Sequence, residues 1–181
     1  AQVSKDKNGK WILDKFSYRS LDKEKIGDNL LDSKDYLAEQ IKLALANAKV
    51  TTKNAALSIP STSAVIKSPT TPLMNEQELK QAIKTESLWG EVIQMDNIED
   101  YSVFHQVINR NSKTNEMDLL FVASKLSDVN AHTSIINKAG LNPVIMDVRC
   151  FTLKNALDNS VFEDNKKQSA ILEFGLSDNY L

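Results

Sequence analysis

The segment from His132 to Leu157 constrains the fold most, because helical, extended and again helical patterns follow one another there with almost no loop between them. Apolar residues recur at helical spacing up to Ala139, and Gly140 supplies the left-handed conformation that ends many helices. The apolar run over 144–148 is typical of a strand, and 151–157 is again typical of a helix. This dense succession predicts a joint between two rigid units.

The composition excludes several classes of protein. Hydrophobic residues make up 41% and charged residues 25% of the 181 residues, which is typical of a globular chain rather than a disordered one. The formal net charge is −2, and no block of Lys or Arg provides the basic surface that nucleic-acid binding requires, so no nucleic-acid partner is expected. The single cysteine, Cys150, has no internal disulfide partner, which indicates a reducing compartment.

The sequence contains no candidate membrane span. No apolar run approaches the roughly twenty residues needed to cross a bilayer, and the start carries no signal-peptide pattern. A membrane role is therefore expected to be indirect, without direct membrane insertion. The chain starts at Ala1 and stops at Leu181 inside a strand-like run, so it is expected to be a piece of a longer protein.

The first part of the chain predicts a hairpin, a helix and two short strands. Asn8-Gly9 between β-prone runs is a strong hairpin signal. Asp32 or Ser33 is expected to cap a helix whose apolar stripe faces a sheet, and strands are expected over 55–59 and 64–67. The stripe consists of Leu37, Ile41, Ala44, Leu45 and Ala48.

The segment 68–72 is predicted to be an extended linker, because its two prolines lie three residues apart and exclude a helix. A new unit is expected to start there. Asn75, with Glu78 three residues later, forms a capping-box pattern that opens a helix, and Gly90 is expected to end that helix.

The second part of the chain predicts two paired strands and a helix. Strands are expected over 101–108, where residues alternate, and over 117–123, which is continuously apolar; a polar loop joins them. Ser124 is expected to cap the next helix, which ends at Gly140. A last strand is expected over 169–174.

Several motifs occur in an order that resembles a known family. These are the run from Ser58 to Ile66, the helix opening at 74–79, the joint around Gly140 and the run from Ala170 to Gly175. From about residue 54 onward they resemble the PilM family of type IV pilus assembly proteins, which is actin-like and related to FtsA. The resemblance implies an α/β, actin-like (ribonuclease H-like) subdomain over 1–72 and 149–181. It places an inserted α+β subdomain of the FtsA/PilM type over 73–148.

The resemblance also implies a function. PilM-like proteins are cytoplasmic scaffolds that bind the cytoplasmic tail of an inner-membrane, PilN-like partner, and the pilus assembly ATPase is a second partner that the resemblance implies. Two alternatives stay open: a cytoplasmic domain like that of the type II secretion protein GspL, and an actin-like ATP-binding protein with ATPase activity. The sequence contains no recognisable set of catalytic residues, which favours a scaffold over an enzyme.

The family holds the partner tail in a cleft between the subdomains. Aromatic and Met side chains beside a linker suit a groove for an extended peptide, and for Trp89 a groove contact is favoured over a place in the core. By resemblance, the partner-binding residues would be Leu73, Ile83, Trp89, Met146 and Val148.

A weaker motif concerns nucleotide. Glu173, Gly175 and Ser177 lie where actin-like ATPases place their second phosphate-binding hairpin, so they are candidates for contact with ATP and Mg²⁺. Glu173 replaces the usual Asp, and a strand end followed by an ordinary turn explains the same residues. The first phosphate hairpin is not in this sequence, so nucleotide binding is expected to be weak, without turnover.

The histidines and the cysteine are interpreted as structural. His105 and His132 have no carboxylate or thiol at ligand spacing beside them, so neither is assigned to a metal or to catalysis. Cys150 stands in the predicted joint, where a buried, inert thiol is expected. No metal site and no catalytic residue is therefore predicted.

Overall fold

The computed structural model describes residues 1–27, 30–85, 97–159, 170–174 and 179–180. Within these residues the chain forms strands and four α-helices, together with short 3₁₀ turns, in a mixed α/β arrangement. In chain order they are β1 (Gln2–Lys5), β2 (Trp11–Lys15), α1 (Lys34–Asn47), β3 (Asn54–Ile59), β4 (Val65–Lys67), β5 (Thr70–Pro72), α2 (Glu76–Lys84), β6 (Tyr101–Asn111), β7 (Glu116–Lys125), α3 (Leu126–Lys138), β8 (Asn142–Val148), α4 (Arg149–Asp158), β9 (Glu173–Phe174) and β10 (Asn179–Tyr180).

The chain begins with the predicted hairpin. Strands β1 and β2 pair antiparallel, and Gly9 adopts a φ of 79° in the turn between them. The carboxylate of Asp6 accepts hydrogen bonds of 2.8 Å from the backbone N–H groups of Asn8 and Lys10, which closes the turn. The hairpin prediction is confirmed.

Strand β7 lies at the centre of a four-stranded antiparallel sheet. It pairs with β6 along one side, and with β4 and β5, one after the other, along its other side. The segment 68–72 is therefore not a linker, because Thr70–Pro72 is a strand and the carbonyl of Pro69 accepts a hydrogen bond of 3.0 Å from Leu119. Proline is tolerated in such a strand where no N–H group has to be donated to the sheet.

Helix α2 covers one face of this sheet. Its predicted capping box is confirmed: the Asn75 side chain accepts hydrogen bonds from the backbone N–H groups of Gln77 and Glu78, and Glu78 accepts one from that of Asn75. The helix ends at Lys84, because Thr85 turns to an extended conformation with φ −101°. The expectation that Gly90 ends it is wrong, and Gly90 itself lies outside the described residues.

Strands β3 and β8 form a separate parallel pair, with Ile59 opposite Val148. Helix α3 precedes β8 and ends as predicted, since Gly140 adopts a φ of 83° just after it. Ser124 does not cap this helix: it is a buried residue of β7, and Lys125 takes the cap position without a side-chain hydrogen bond. The predicted last strand is shorter than expected and is limited to β9, which pairs with β10.

Helix α1 packs on helix α3. Its buried residues Leu37 and Ala38 cluster with Ile135 and Ala139, at the end of α3. The stripe residues Leu37, Ile41 and Ala44 also line a pocket together with Leu57 of β3, and the expectation that the stripe faces a sheet stays a prediction. An apolar stripe specifies that a face is covered, and both sheets and helices can cover it.

The strand pairing also bears on the predicted subdomains. Strands β4 and β5 precede residue 73, yet they share a sheet with β7, and β8 ends at residue 148 yet pairs with β3. Both sets of pairings thus join the segment 1–72 with the segment 73–148. The division into 1–72, 73–148 and 149–181 stays a prediction.

Candidate partner-binding cleft

A cleft of about 600 Å³ lies between the four-stranded sheet and the β3–β8 pair with α4. Its walls come from segments far apart in sequence, so that tertiary contacts alone create it. One wall consists of Ser102, Phe104, Gln106, Leu120, Val122 and Ser124. The opposite wall includes Ile59, Met146, Val148, Phe151, Lys154 and Asn155.

The sheet wall follows from the alternation of side chains along β6 and β7. Met117, Leu119 and Phe121 point to the face that α2 covers and are almost completely buried. Leu120, Val122 and Ser124 of β7 line the cleft instead, and Val122 is paired there with Phe104. The Phe104 side chain is 57% exposed, so a large apolar surface faces solvent in the cleft.

The opposite wall follows from the junction of β8 and α4. Val148 ends the strand, is only 5% exposed and packs with Ile59 and Val122. Helix α4 starts at the next residue, and its Thr152 hydroxyl lies 3.2 Å from the Ser58 hydroxyl of β3. This contact fixes α4 against the parallel pair, and so the Phe151 ring lines the cleft.

The structure brings together only some of the residues predicted to bind a partner. Met146 and Val148 both line the cleft. Leu73 and Ile83 pack instead against the buried cluster on the opposite face of β7. Trp89 lies outside the described residues. Binding of a partner by any of the five stays a prediction.

Sequence reasoning did not single out two aromatic residues of the cleft, Phe104 and Phe151. Phe104 lies in the alternating pattern of residues 101–108. Such a pattern predicts that the side chains on one face of the strand are buried, but it does not indicate which face borders a cavity. That choice depends on the position of β3, β8 and α4, which no local pattern contains.

Of the residues predicted to contact nucleotide, the structure describes only Glu173. It opens β9, and its carboxylate accepts a hydrogen bond of 3.0 Å from Nε of Arg149 and a second one from Nη2. Gly175 and Ser177 lie outside the described residues. Contact of these three residues with ATP and Mg²⁺ stays a prediction.

The histidines and the cysteine lie in structural surroundings. Nδ1 of His132 is 2.7 Å from the carbonyl oxygen of Asp128, so this nitrogen carries the proton and donates. Cys150 is half-buried rather than fully buried and packs beside Val148. Across the described residues, no group of three or more His, Cys, Asp or Glu side chains could hold a metal ion.

Among the residues that the structure describes, no helix is both long and apolar enough to span a membrane.

The sequence and the fold of this chain have known counterparts. The model of the family described as "Type IV pilus assembly protein PilM" matches residues 1–178. The chain therefore belongs to the PilM family, and the resemblance stated from the sequence is confirmed. No curated protein sequence matches the chain.

Two solved structures are similar to this one. A PilM–PilN type IV pilus biogenesis complex matches with a TM-score of 0.69 and 17% identity, over 86% of this chain and 45% of that chain. The cytoplasmic domain of EpsL, an inner membrane component of the type II secretion system of Vibrio cholerae, matches with a TM-score of 0.43 and 15% identity, over 64% and 42%. The first likeness shows that the fold is similar to that of PilM. This chain spans less than half the length of either matched chain.

Proposed function

We propose that this protein is a scaffold of the type IV pilus assembly machinery, and that its cleft holds the cytoplasmic tail of a PilN-like inner-membrane protein. The observation that carries this proposal is the apolar cleft between the β6–β7 sheet and the β3–β8 pair. Membership of the PilM family supports it, as does the likeness to a PilM protein solved in complex with PilN.

The chemistry of the cleft suits an extended peptide. Phe104 and Val122 on one wall and Phe151 on the other offer apolar surface for side chains. Gln106 and Asn155 bring amide groups that can form hydrogen bonds with a peptide backbone. Its volume lies within the range of about 300–1,000 Å³ that is usual for ligand sites. A few side chains of a tail would fill it.

The same proposal includes an architecture and a location. An actin-like subdomain over 1–72 and 149–181 would carry an inserted α+β subdomain over 73–148. The protein would be cytoplasmic and reach the inner membrane through its partner. The pilus assembly ATPase is the second partner proposed.

Calorimetry on the full chain with the cytoplasmic N-terminal peptides of neighbouring pilus proteins tests the proposal. Phe104→Ala should weaken binding by about 2 kcal/mol or more, as removal of an aromatic anchor does. Ile108→Ala is the matched control, because Ile108 is equally exposed, at 58%, but lies outside the cleft lining. Failure of every peptide to bind, or equal losses for both variants, would contradict the proposal.

The type II secretion alternative rests on sequence resemblance. A GspL-like protein would carry its own hydrophobic span in the complete gene product, downstream of residue 181. The full-length sequence therefore discriminates between the two assignments.

The ATPase alternative concerns Glu173, Gly175 and Ser177 with Mg²⁺. Stabilising the phosphates requires donors from both sides of a nucleotide cleft, so we expect weak ATP binding and no turnover by this chain. Magnesium-dependent ATP hydrolysis that disappears in Glu173→Ala would favour the ATPase.

A further inference from the structure

The ion pair of Arg149 and Glu173 connects helix α4, which lines the cleft, to strand β9. Arg149 is the first residue of α4 and follows Val148, the buried end of the cleft wall, without a loop. Its guanidinium reaches both carboxylate oxygens of Glu173, the first residue of β9. These two residues are 24 positions apart in sequence, and a bidentate pair of this kind fixes orientation as well as distance.

Helix α4 is the element that both sites share. Phe151 and Asn155 of α4 line the cleft, while Arg149 at its first position holds β9. A helix moves as a rigid body over such a length, so a ligand that displaces Phe151 also displaces the Arg149 backbone. The strand with Glu173 must then follow or lose the ion pair.

We propose that the Arg149–Glu173 ion pair couples occupation of the cleft to the position of β9. This proposal rests on the proposed function for the identity of the cleft ligand. Coupling of this kind is reciprocal. If the position of β9 changes the affinity of the cleft for its ligand, then binding of that ligand shifts the position of β9 by the same coupling free energy.

A first experiment needs no ligand. Met146 lines the cleft, whereas Met117 is 1% exposed on the face of β7 that α2 covers, so ¹³C-methyl-methionine NMR observes both environments in one sample. Glu173→Gln, which keeps the shape of the side chain and removes its charge, should shift the Met146 signal and leave that of Met117 in place. Lys138→Gln, which breaks the remote pair with Asp35, should shift neither.

The route through Arg149 is tested by a double-mutant cycle. If the ion pair transmits the effect, Glu173→Gln should shift the Met146 signal in the parent chain but not in an Arg149→Gln background. An unmoved Met146 signal in Glu173→Gln, or an equal shift in both backgrounds, would overturn the coupling whether or not any peptide binds.

The second experiment measures the affinity of the PilN-type N-terminal peptide. Glu173→Gln should change its dissociation constant by about fivefold or more, the lower end of typical allosteric coupling. Lys138→Gln should leave the dissociation constant unchanged. Failure of the parent chain to bind the peptide would contradict the proposed function, and the Met146 signal would still decide the coupling. Binding with the same affinity in Glu173→Gln and in the parent would overturn the coupling alone.

Discussion

The carboxylate of Asp35 in α1 accepts a hydrogen bond of 2.5 Å from Nζ of Lys138 in α3, beside the apolar contact of the two helices. This hydrogen bond, and then the charge of Lys138, lower the pKa of Asp35 below its ordinary value of 3.8. The pair is exposed, so salt screens it.

The direction of the pKa shift predicts how stability depends on pH. A carboxylate with a lowered pKa in the folded state stabilises the fold above its unfolded-state pKa, and this contribution is lost as the pH falls through the folded-state pKa. The free energy of unfolding should therefore decrease below pH 3.8 partly because of Asp35. Denaturant titrations of the parent and of Asp35→Asn across this range measure the effect. An identical decrease in both chains would show that the ion pair does not contribute.

The capping box of α2 predicts a local loss of stability. Asn75→Ala removes the acceptor for two backbone N–H groups at the start of the helix, and the free energy of unfolding should fall by about 0.5–2 kcal/mol. Glu78→Gln is the matched control, because glutamine can still accept the hydrogen bond from Asn75. Urea denaturation measures the free energy of unfolding of the parent and the two variants. An equal decrease in both variants would disprove the role of the Asn75 cap.

The two faces of the sheet predict opposite results for two phenylalanines. Phe121 is completely buried, so Phe121→Ala should cost about 3–5 kcal/mol of unfolding free energy through lost burial and a cavity. Phe104→Ala, at a site that is 57% exposed, should cost much less. Thermal and chemical denaturation of the two variants measure these losses of stability. A loss of stability as large for Phe104→Ala as for Phe121→Ala would mean that the cleft wall is part of the core.

Trp89 provides a prediction outside the described residues. If it lines the partner groove, Trp89→Ala should weaken peptide binding by about 2 kcal/mol or more and leave the fold intact. If it belongs to the core, the same change should cost about 3–5 kcal/mol of stability. A melting curve and a binding titration on this variant distinguish the two. Strong destabilisation with unchanged peptide affinity would refute the groove contact.

The sequence by itself determined the elements that depend on local chemistry. Asn8-Gly9 predicted the hairpin, Asn75 with Glu78 predicted the start of α2, and Gly140 predicted the end of α3. In each case the decisive hydrogen bonds or backbone angles involve residues a few positions apart, so a short window contains the whole signal. The ordered motifs also sufficed to predict the family.

The tertiary structure alone decided which of these elements meet. Proline spacing in 68–72 predicted an extended chain correctly but could not show that β7 lies beside it as a partner strand. The alternation around Phe104 did not reveal that β3, β8 and α4 would form a cleft over it, nor that Arg149 would hold Glu173. Such contacts join residues far apart in sequence, and their formation depends on how apolar faces are covered across the whole chain, which no local pattern encodes.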